Sequence, residues 1–231
     1  MTTEATQTPL VRMSGVNKHF GSFQALSDIN VDIPKGQVCI VVGPSGSGKS
    51  TLCRTINRLE TIDDDGGYIE IDGNRLPEEG KALAALRADV GMVFQSFNLF
   101  AHKSVLENVT LGPIKVRKVT KKQAEQQAME YLERVGVGEQ ARKLPAQLSG
   151  GQQQRVAIAR SLIANPAIIF ADEPTGNLDT KTSAAIIDLL FQRLEETGAT
   201  LLLITHDQAL AGRCRHIFHM QDGRISQDIS R

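Results

Sequence analysis

No run of apolar residues in this chain approaches the roughly 18 that carry a helix across a bilayer, so no membrane span is expected. Residues 1–9 are polar and lack the charged and apolar regions of a secretory leader, so no export signal is expected. An excess of charge is missing too: 26 Lys and Arg balance 26 Asp and Glu. That balance leaves no reserve of positive charge to hold nucleic acid or an anionic membrane surface, and no nucleic-acid partner is expected. Cysteine is scarce. Cys39, Cys53 and Cys214 show no metal-ligand spacing, and such a scattered set suits a reducing cytosol. Cys39 lies within an apolar run and reads as a small core residue.

What remains is a chain of 231 residues, 41% hydrophobic and 23% charged, the profile of a soluble globular protein of one domain. In Leu26–Ile33, Ile29, Val31 and Ile33 alternate with Asn30 and Asp32, a strand with one buried face. Tyr68–Asp72 alternates likewise, and Asp72-Gly73 is a turn signal. Val38–Val42 is continuously apolar, as in a strand covered on both faces. The middle reads as helical. Ser104 and Glu107 fit a capping box, and Thr120 can cap a helix carrying Ala124, Ala128, Tyr131, Leu132 and Val135, with Gly136 and Gly138 ending it. A further helix begins near Ser149. Buried strands follow at 167–171 and 200–204 with a helix over 180–196 between them, and a last strand at 216–220 closes on Asp222-Gly223. The order suggests an α/β core with an inserted helical lobe near 96–160.

Gly43-Pro-Ser-Gly-Ser-Gly-Lys-Ser-Thr51 matches G-x-x-x-x-G-K-[ST] directly after the buried strand 38–42. Its glycines let the loop wrap a phosphate with successive N–H groups pointing inward. The helix beginning near Lys49 adds the positive end of its dipole. Lys49 supplies a charge to the β- and γ-phosphates, and Ser50 a hydroxyl ligand to Mg²⁺. Asp172 and Glu173 end the apolar strand 167–171, where ligands of open α/β sheets bind. Asp172 is placed to hold Mg²⁺, directly or through water, and Glu173 to polarise an attacking water. Taken alone, the loop could be a Gly/Ser-rich turn and the carboxylates a solvated strand end; together they point to nucleotide chemistry.

At this point the chain resembles the ABC transporter ATPases over essentially its whole length. Leu148-Ser-Gly-Gly-Gln152 is similar to the family signature sequence. Gln95 falls where the family has its Q-loop glutamine, Asp179 where it has the D-loop aspartate, and His206 where it has the H-loop histidine. Phe20 sits where the family stacks an aromatic on adenine. Each has a plainer alternative: Ser149 and Gln152 also form a capping box, a lone histidine after a strand is usually a surface one, and a lone phenylalanine is usually core. The resemblance implies a P-loop NTPase (RecA-like) core with an antiparallel β subdomain and an inserted helical subdomain. The ATPase domain would span 8–228, with core 8–95 and 161–228 and the helical part about 96–160.

The resemblance further implies a composite site. One subunit would give Phe20, Gly43, Pro44, Ser45, Gly46, Ser47, Gly48, Lys49, Ser50, Thr51, Gln95, Asp172, Glu173 and His206. The other would give Ser149, Gly150, Gly151 and Gln152, with Asp179 linking the two sites. Lys49, Gln95, Glu173 and His206 would serve catalysis, and Ser50, Gln95 and Asp172 would hold Mg²⁺. ATP would join two copies as a homodimer on the cytoplasmic face of the membrane. Transmembrane permease subunits, and indirectly a substrate-binding protein, would be the partners. Within the family, residues 10–160 resemble the polar amino-acid uptake ATPases, glutamate importers in particular. From about 165 onward the resemblance shifts: residues 165–231, through Ala171–Asp179 and Ile204–Asp207, look closer to the lipoprotein-release and macrolide-efflux type. Amino-acid uptake is therefore the expected role, with export or mechanical work on a membrane partner as the alternative.

Overall fold

The computed structural model describes residues 8–230. In chain order its elements are β1 (Val11–Phe20), β2 (Phe23–Ile33), β3 (Val38–Val42), α1 (Lys49–Ile56), β4 (Tyr68–Ile71), β5 (Asn74–Arg75), α2 (Gly80–Ala88) and β6 (Val90–Phe94). Then follow α3 (Val105–Lys115), α4 (Lys121–Arg134), α5 (Gly150–Leu162), β7 (Ile168–Asp172), α6 (Thr180–Thr197), β8 (Thr200–Thr205), α7 (Gln208–Ala211), β9 (His216–Gln221) and β10 (Arg224–Ser230). Two compact units divide them, one running to Ala84 and resuming at Thr200, the other spanning Ala85–Ala199. The segment 1–7, part of the stretch read as lacking a leader, lies outside the described residues.

In the first unit β1 pairs antiparallel with β2 and β4, and β4 with β5. The alternation seen in the sequence has a physical counterpart: Ile29, Val31 and Ile33 are buried while Asn30 and Asp32 are exposed. Their partners Val16, Met13 and Val11 complete an apolar face. Asp72 and Gly73, with φ of 50° and 75°, make the two-residue turn between β4 and β5, the left-handed pair such a hairpin demands. β3 lies parallel between β8 and β9, and β10 closes antiparallel on β9. The continuous apolar run of β3 is accordingly buried from Cys39 to Val42, as sequence expected of a strand covered on both faces.

In the second unit β6 and β7 run parallel, pairing Val90 with Ile168 and Phe94 with Asp172. α5 packs on β6, and α3, α4 and α5 pack on one another. The helix starts follow their caps. The Ser104 and Ser149 side chains accept from the N–H groups of Glu107 and Gln152, whose side chains bond back, and Thr120 accepts from Gln123. Ala124, Ala128 and Leu132 of α4 are buried, and Gly136 in the left-handed region stops the chain after it. The helical stretch 96–160 falls inside this unit, which also holds β6, β7 and α6.

A single side chain organises the start of the helical stretch. Asn108 is 1% exposed. Its Oδ1 accepts from Phe100 N at 2.7 Å, and its Nδ2 donates to the carbonyls of Phe100, Lys103 and Ser104 at 3.2, 3.1 and 2.9 Å. Removing the amide strands buried backbone groups at the mouth of α3. Asn108→Ala is therefore expected to destabilise the protein by about 2–4 kcal/mol. In a chain of this size that is a fall in Tm of about 5–15 °C, read by differential scanning calorimetry.

Candidate functional site

The first unit presents the glycine-rich loop between β3 and α1. Gly46 and Gly48 have φ of 79° and 100°, which side chains bearing a Cβ resist. Close approach adds a second demand. A Cβ on Gly48 would lie 2.5 Å from Ala25 O, and one on Gly43 would run into Met220 O. The loop is pinned from outside by the Gly223 N–H, which donates to Ser47 O at 3.0 Å. Within it Lys49 is 5% exposed, and its ammonium donates to the carbonyls of Gly43 and Pro44 at 3.0 and 2.8 Å. The loop thus curls around its own cation while Pro44, Ser45 and Gly46 stay exposed. Ser47 Oγ is buried with no hydrogen-bond partner among the described residues. Ser50 and Thr51 occupy the first turn of α1.

His206 follows β8 and is exposed. With Gly43, Pro44 and His219 it lines one cavity of about 330 Å³, so the loop and this histidine do meet. Phe20 is not in that lining. It stands at the tip of the β1–β2 hairpin opposite Phe23, 45% exposed, with the Lys18 ammonium 4.9 Å from its ring centre. An aromatic face open to solvent on a hairpin tip suits stacking on a flat ring better than a core role. Phe23, more open still at 62%, has no signal in the sequence, because nothing in a short polar hairpin marks which of its aromatics faces out.

The second unit gathers the other residues. The pairing of Phe94 with Asp172 ends β6 and β7 side by side. Gln95 and Glu173, each one residue further on, are therefore neighbours. A Cβ on Gly176 would lie 2.8 Å from Gln95 Nε2 and 3.3 Å from Glu173 Oε2, so both side chains converge over that glycine. Asp172 is 6% exposed, and Glu173 takes a left-handed φ of 46°, the kind of strained backbone that clusters at working sites. Among the described residues no cluster of three His, Cys, Asp or Glu is placed to hold a metal. The Gln95 amide oxygen and the Asp172 carboxylate here, and the Ser50 hydroxyl in the first unit, are each hard oxygen donors of the kind Mg²⁺ takes.

Ser149 is exposed at the N-terminus of α5, where the capping box holds it: Ser149 N donates to Gln152 Oε1 at 3.0 Å and Gln152 N to Ser149 Oγ at 3.3 Å. The capping-box reading is the one seen here, and a capped helix end still offers unused N–H groups and a positive dipole. A Cβ on Gly151 would lie 2.7 Å from Thr182 Cγ2, so this glycine lets α5 and the start of α6 approach. Asp179 caps α6, its carboxylate accepting from Thr182 N at 3.0 Å and Thr182 Oγ1 at 2.6 Å, which holds its pKa below the usual carboxylate range. Two side chains outside the expected set also touch this region. Asn177 donates to Gln95 O, and Arg160 to the carbonyls of Phe97 and Asn98. No local signal in the sequence announces such contacts.

The model of the ABC transporter family matches residues 26–176. The glutamate transport ATP-binding protein GluA of Corynebacterium efficiens is 58% identical over 220 residues, 95% of this chain and 90% of the relative. The glutamate/aspartate import ATP-binding protein GltL of Escherichia coli K12 is 44% identical over 220 residues, with the same coverage of 95% and 90%. Among solved structures, dimeric MJ0796, a bacterial ABC transporter cassette, matches with a TM-score of 0.88 at 37% identity, covering 95% of this chain and 98% of that one. Its dimeric post-hydrolysis state bound to ADP and Pi matches with a TM-score of 0.87 at 37% identity and the same coverage, 95% and 98%. The family match, relatives aligned almost end to end and the shared α/β cassette fold place the chain where its phosphate loop and strand-end carboxylates already pointed: it belongs to the ABC transporter family, as an ATP-binding ATPase subunit.

Proposed function

We propose that this chain hydrolyses ATP to drive the uptake of glutamate or a related polar amino acid through a membrane permease. The observation that carries this reading is the 58% identity to a glutamate transport ATP-binding protein across 95% of the chain. That likeness runs through the second half as well as the first. The 220 aligned residues take in nearly all of 165–231, the part that resembles the efflux type in sequence, and neither of these relatives, GluA or GltL, favours export.

The proposed site is shared between two copies, a reading supported by the dimeric cassettes that this chain matches in fold. One copy gives Phe20 to the adenine, residues 43–51 to the phosphates, and Gln95, Asp172, Glu173 and His206 to the γ-phosphate end. The other presents the exposed end of α5, Ser149 to Gln152, with Asp179 beside it. Lys49 is the charge nearest the loop's interior, and the unpartnered Ser47 Oγ is a further group ready for a phosphate oxygen. Ser50, Gln95 and Asp172 would hold Mg²⁺, which when bound neutralises charge building on the phosphates. Glu173 accepts a proton from the water whose oxygen attacks the γ-phosphorus, and the bond from that phosphorus to the bridging oxygen breaks to leave ADP and phosphate. His206 steadies the γ-phosphate oxygens. ATP binding draws the copies together and hydrolysis lets them part, a two-state switch biased by ligand.

No helix among the described residues is long and apolar enough to cross a membrane, so the attachment to the cytoplasmic face is proposed to run through the permease. A groove of about 590 Å³ in the second unit is the proposed seat for a short cytoplasmic helix of that subunit. Phe100, Val109, Pro113 and Val116 supply apolar wall, and Lys115 and Arg117 a basic rim. Such a groove takes an amphipathic helix by its apolar face while the charges set its direction. Phe97, Leu99 and Lys118, close by in the chain, are not in the lining. A substrate-binding protein would act on the permease from the far side.

Lys49→Ala removes a charge-assisted contact to the phosphates, and ATP affinity is expected to drop about tenfold to a hundredfold, measured with a fluorescent nucleotide; unchanged binding would remove the loop from the site. Glu173→Gln keeps shape but loses the base. ATP should still bind, turnover should fall about 10²–10⁴-fold, and light scattering with MgATP should show dimers accumulating. Persisting hydrolysis by monomers would exclude Glu173 as the base. Reconstituted in proteoliposomes, the chain should be stimulated by an amino-acid permease, whereas stimulation by an exporter-type subunit alone would overturn the uptake assignment and leave the ATPase assignment standing.

A further inference from the structure

The turn that follows Gln95 has a backbone that residues bearing a Cβ resist. Phe97 and Asn98 are both left-handed, with φ of 60° and 50°. Two consecutive residues keep such angles only when their surroundings over-determine them. Inside the turn, Phe97 N donates to Phe94 O at 3.2 Å and Asn98 N to Ser96 O at 2.6 Å.

Two side chains from distant parts of the sequence supply the rest of the restraint. Asn177 Nδ2 donates to Gln95 O at 3.0 Å, bridging 82 positions. Arg160, on α5, donates from Nη1 to Asn98 O at 2.6 Å and from Nη2 to Phe97 O at 2.9 Å. A guanidinium fork fits two successive carbonyls where a lysine would reach one. Burial pushes the pKa of this guanidinium down, in keeping with a group withdrawn from water. The turn is thus fastened at its start from the segment that follows Glu173, and at its end from the helix whose tip carries Ser149 to Gln152. Arg160 and Asn98 also line the 590 Å³ groove.

We infer that Asn177 and Arg160 are positioning residues for Gln95. They hold the 95–98 turn so that the Gln95 amide stays over Gly176 beside the Glu173 carboxylate. They also tie its placement to α5 and to whatever occupies the groove. This rests on the reading of Gln95 as a Mg²⁺ ligand. A role in fold stability alone would cost thermal stability without touching metal binding, and the two are separable.

The experiment uses the full chain with a non-hydrolysable ATP analogue and titrates Mn²⁺, counting bound metal by electron paramagnetic resonance, with Mg²⁺-dependent turnover measured alongside. Asn177 is exposed, so its variants should fold. Asn177→Ala and the near-isosteric Asn177→Asp, which cannot donate, should each weaken Mn²⁺ binding about threefold to tenfold, the weight of one hydrogen bond. Metal-free binding of the analogue and Tm should hold steady. Arg160→Lys should act in the same direction. In a Gln95→Ala background Asn177→Ala should add nothing further, because the two lie on one path. Unchanged Mn²⁺ binding in both Asn177 variants overturns the inference, as does a lowered Tm with metal binding intact. An equal loss in the Gln95→Ala background does so too, and in each case the ATPase reading survives. If Gln95→Ala itself leaves Mn²⁺ binding and turnover unchanged, the assignment of Gln95 falls, and this inference with it.

Discussion

A buried ammonium sets the terms for the first unit. Lys49 lies almost wholly out of water, and an isolated charge there would be prohibitive without dipoles to meet it. The carbonyls of Gly43 and Pro44 provide them, so the loop must curl back over the start of its own helix. That curl requires Gly48 far into the left-handed region and Gly43 tight against the backbone of Met220. The neighbouring strands then have little freedom: β9 must pass close to Gly43, and the turn after it must deliver the Gly223 N–H to Ser47. A loop built in this way holds a cation at hand for an anion without leaving it solvated.

The second unit works through strand ends and helix ends. β6 and β7 stop in register, and each hands on one polar residue, Gln95 and Glu173. The left-handed backbone of Glu173, Phe97 and Asn98 clusters here, in the loops that carry the proposed chemistry. Helix caps do double service in the same region. Ser149 and Asp179 each satisfy the N–H groups of their own helices, and each remains at an exposed helix tip. A family signature and a structural cap are here the same residues.

Much of this was legible in the sequence, for reasons that are local. The phosphate loop depends on glycines at fixed spacing, a cap on a hydroxyl or carboxylate three residues before the N–H it meets, and a covered strand on an unbroken apolar run. Hydrogen bonds that close within a few residues leave their mark in a few residues. Val38–Val42, the capping boxes at Ser104 and Ser149, the Thr120 cap and the Asp72-Gly73 turn all belong to that class, as do Asp172 and Glu173 at their strand end. β6 was not read, although it delivers Gln95, because its half-buried pattern is too short to separate from a helix turn. β1, α2 and β10 also went unread, and the strand expected to be the last, 216–220, is followed by β10.

What the sequence determined by itself was therefore the chemistry on offer: a phosphate loop, a pair of carboxylates, a capped signature helix and the family to which they belong. Which groups meet was decided by tertiary structure alone. Asn177 reaches Gln95 across 82 positions and Arg160 reaches Asn98 across 62. Neither contact has a local period, a cap spacing or a turn residue to announce it. Each exists because α5 and the chain after β7 pack where β6 ends, and such long-range packing is fixed by the fit of whole surfaces rather than by the spacing of neighbours along the chain.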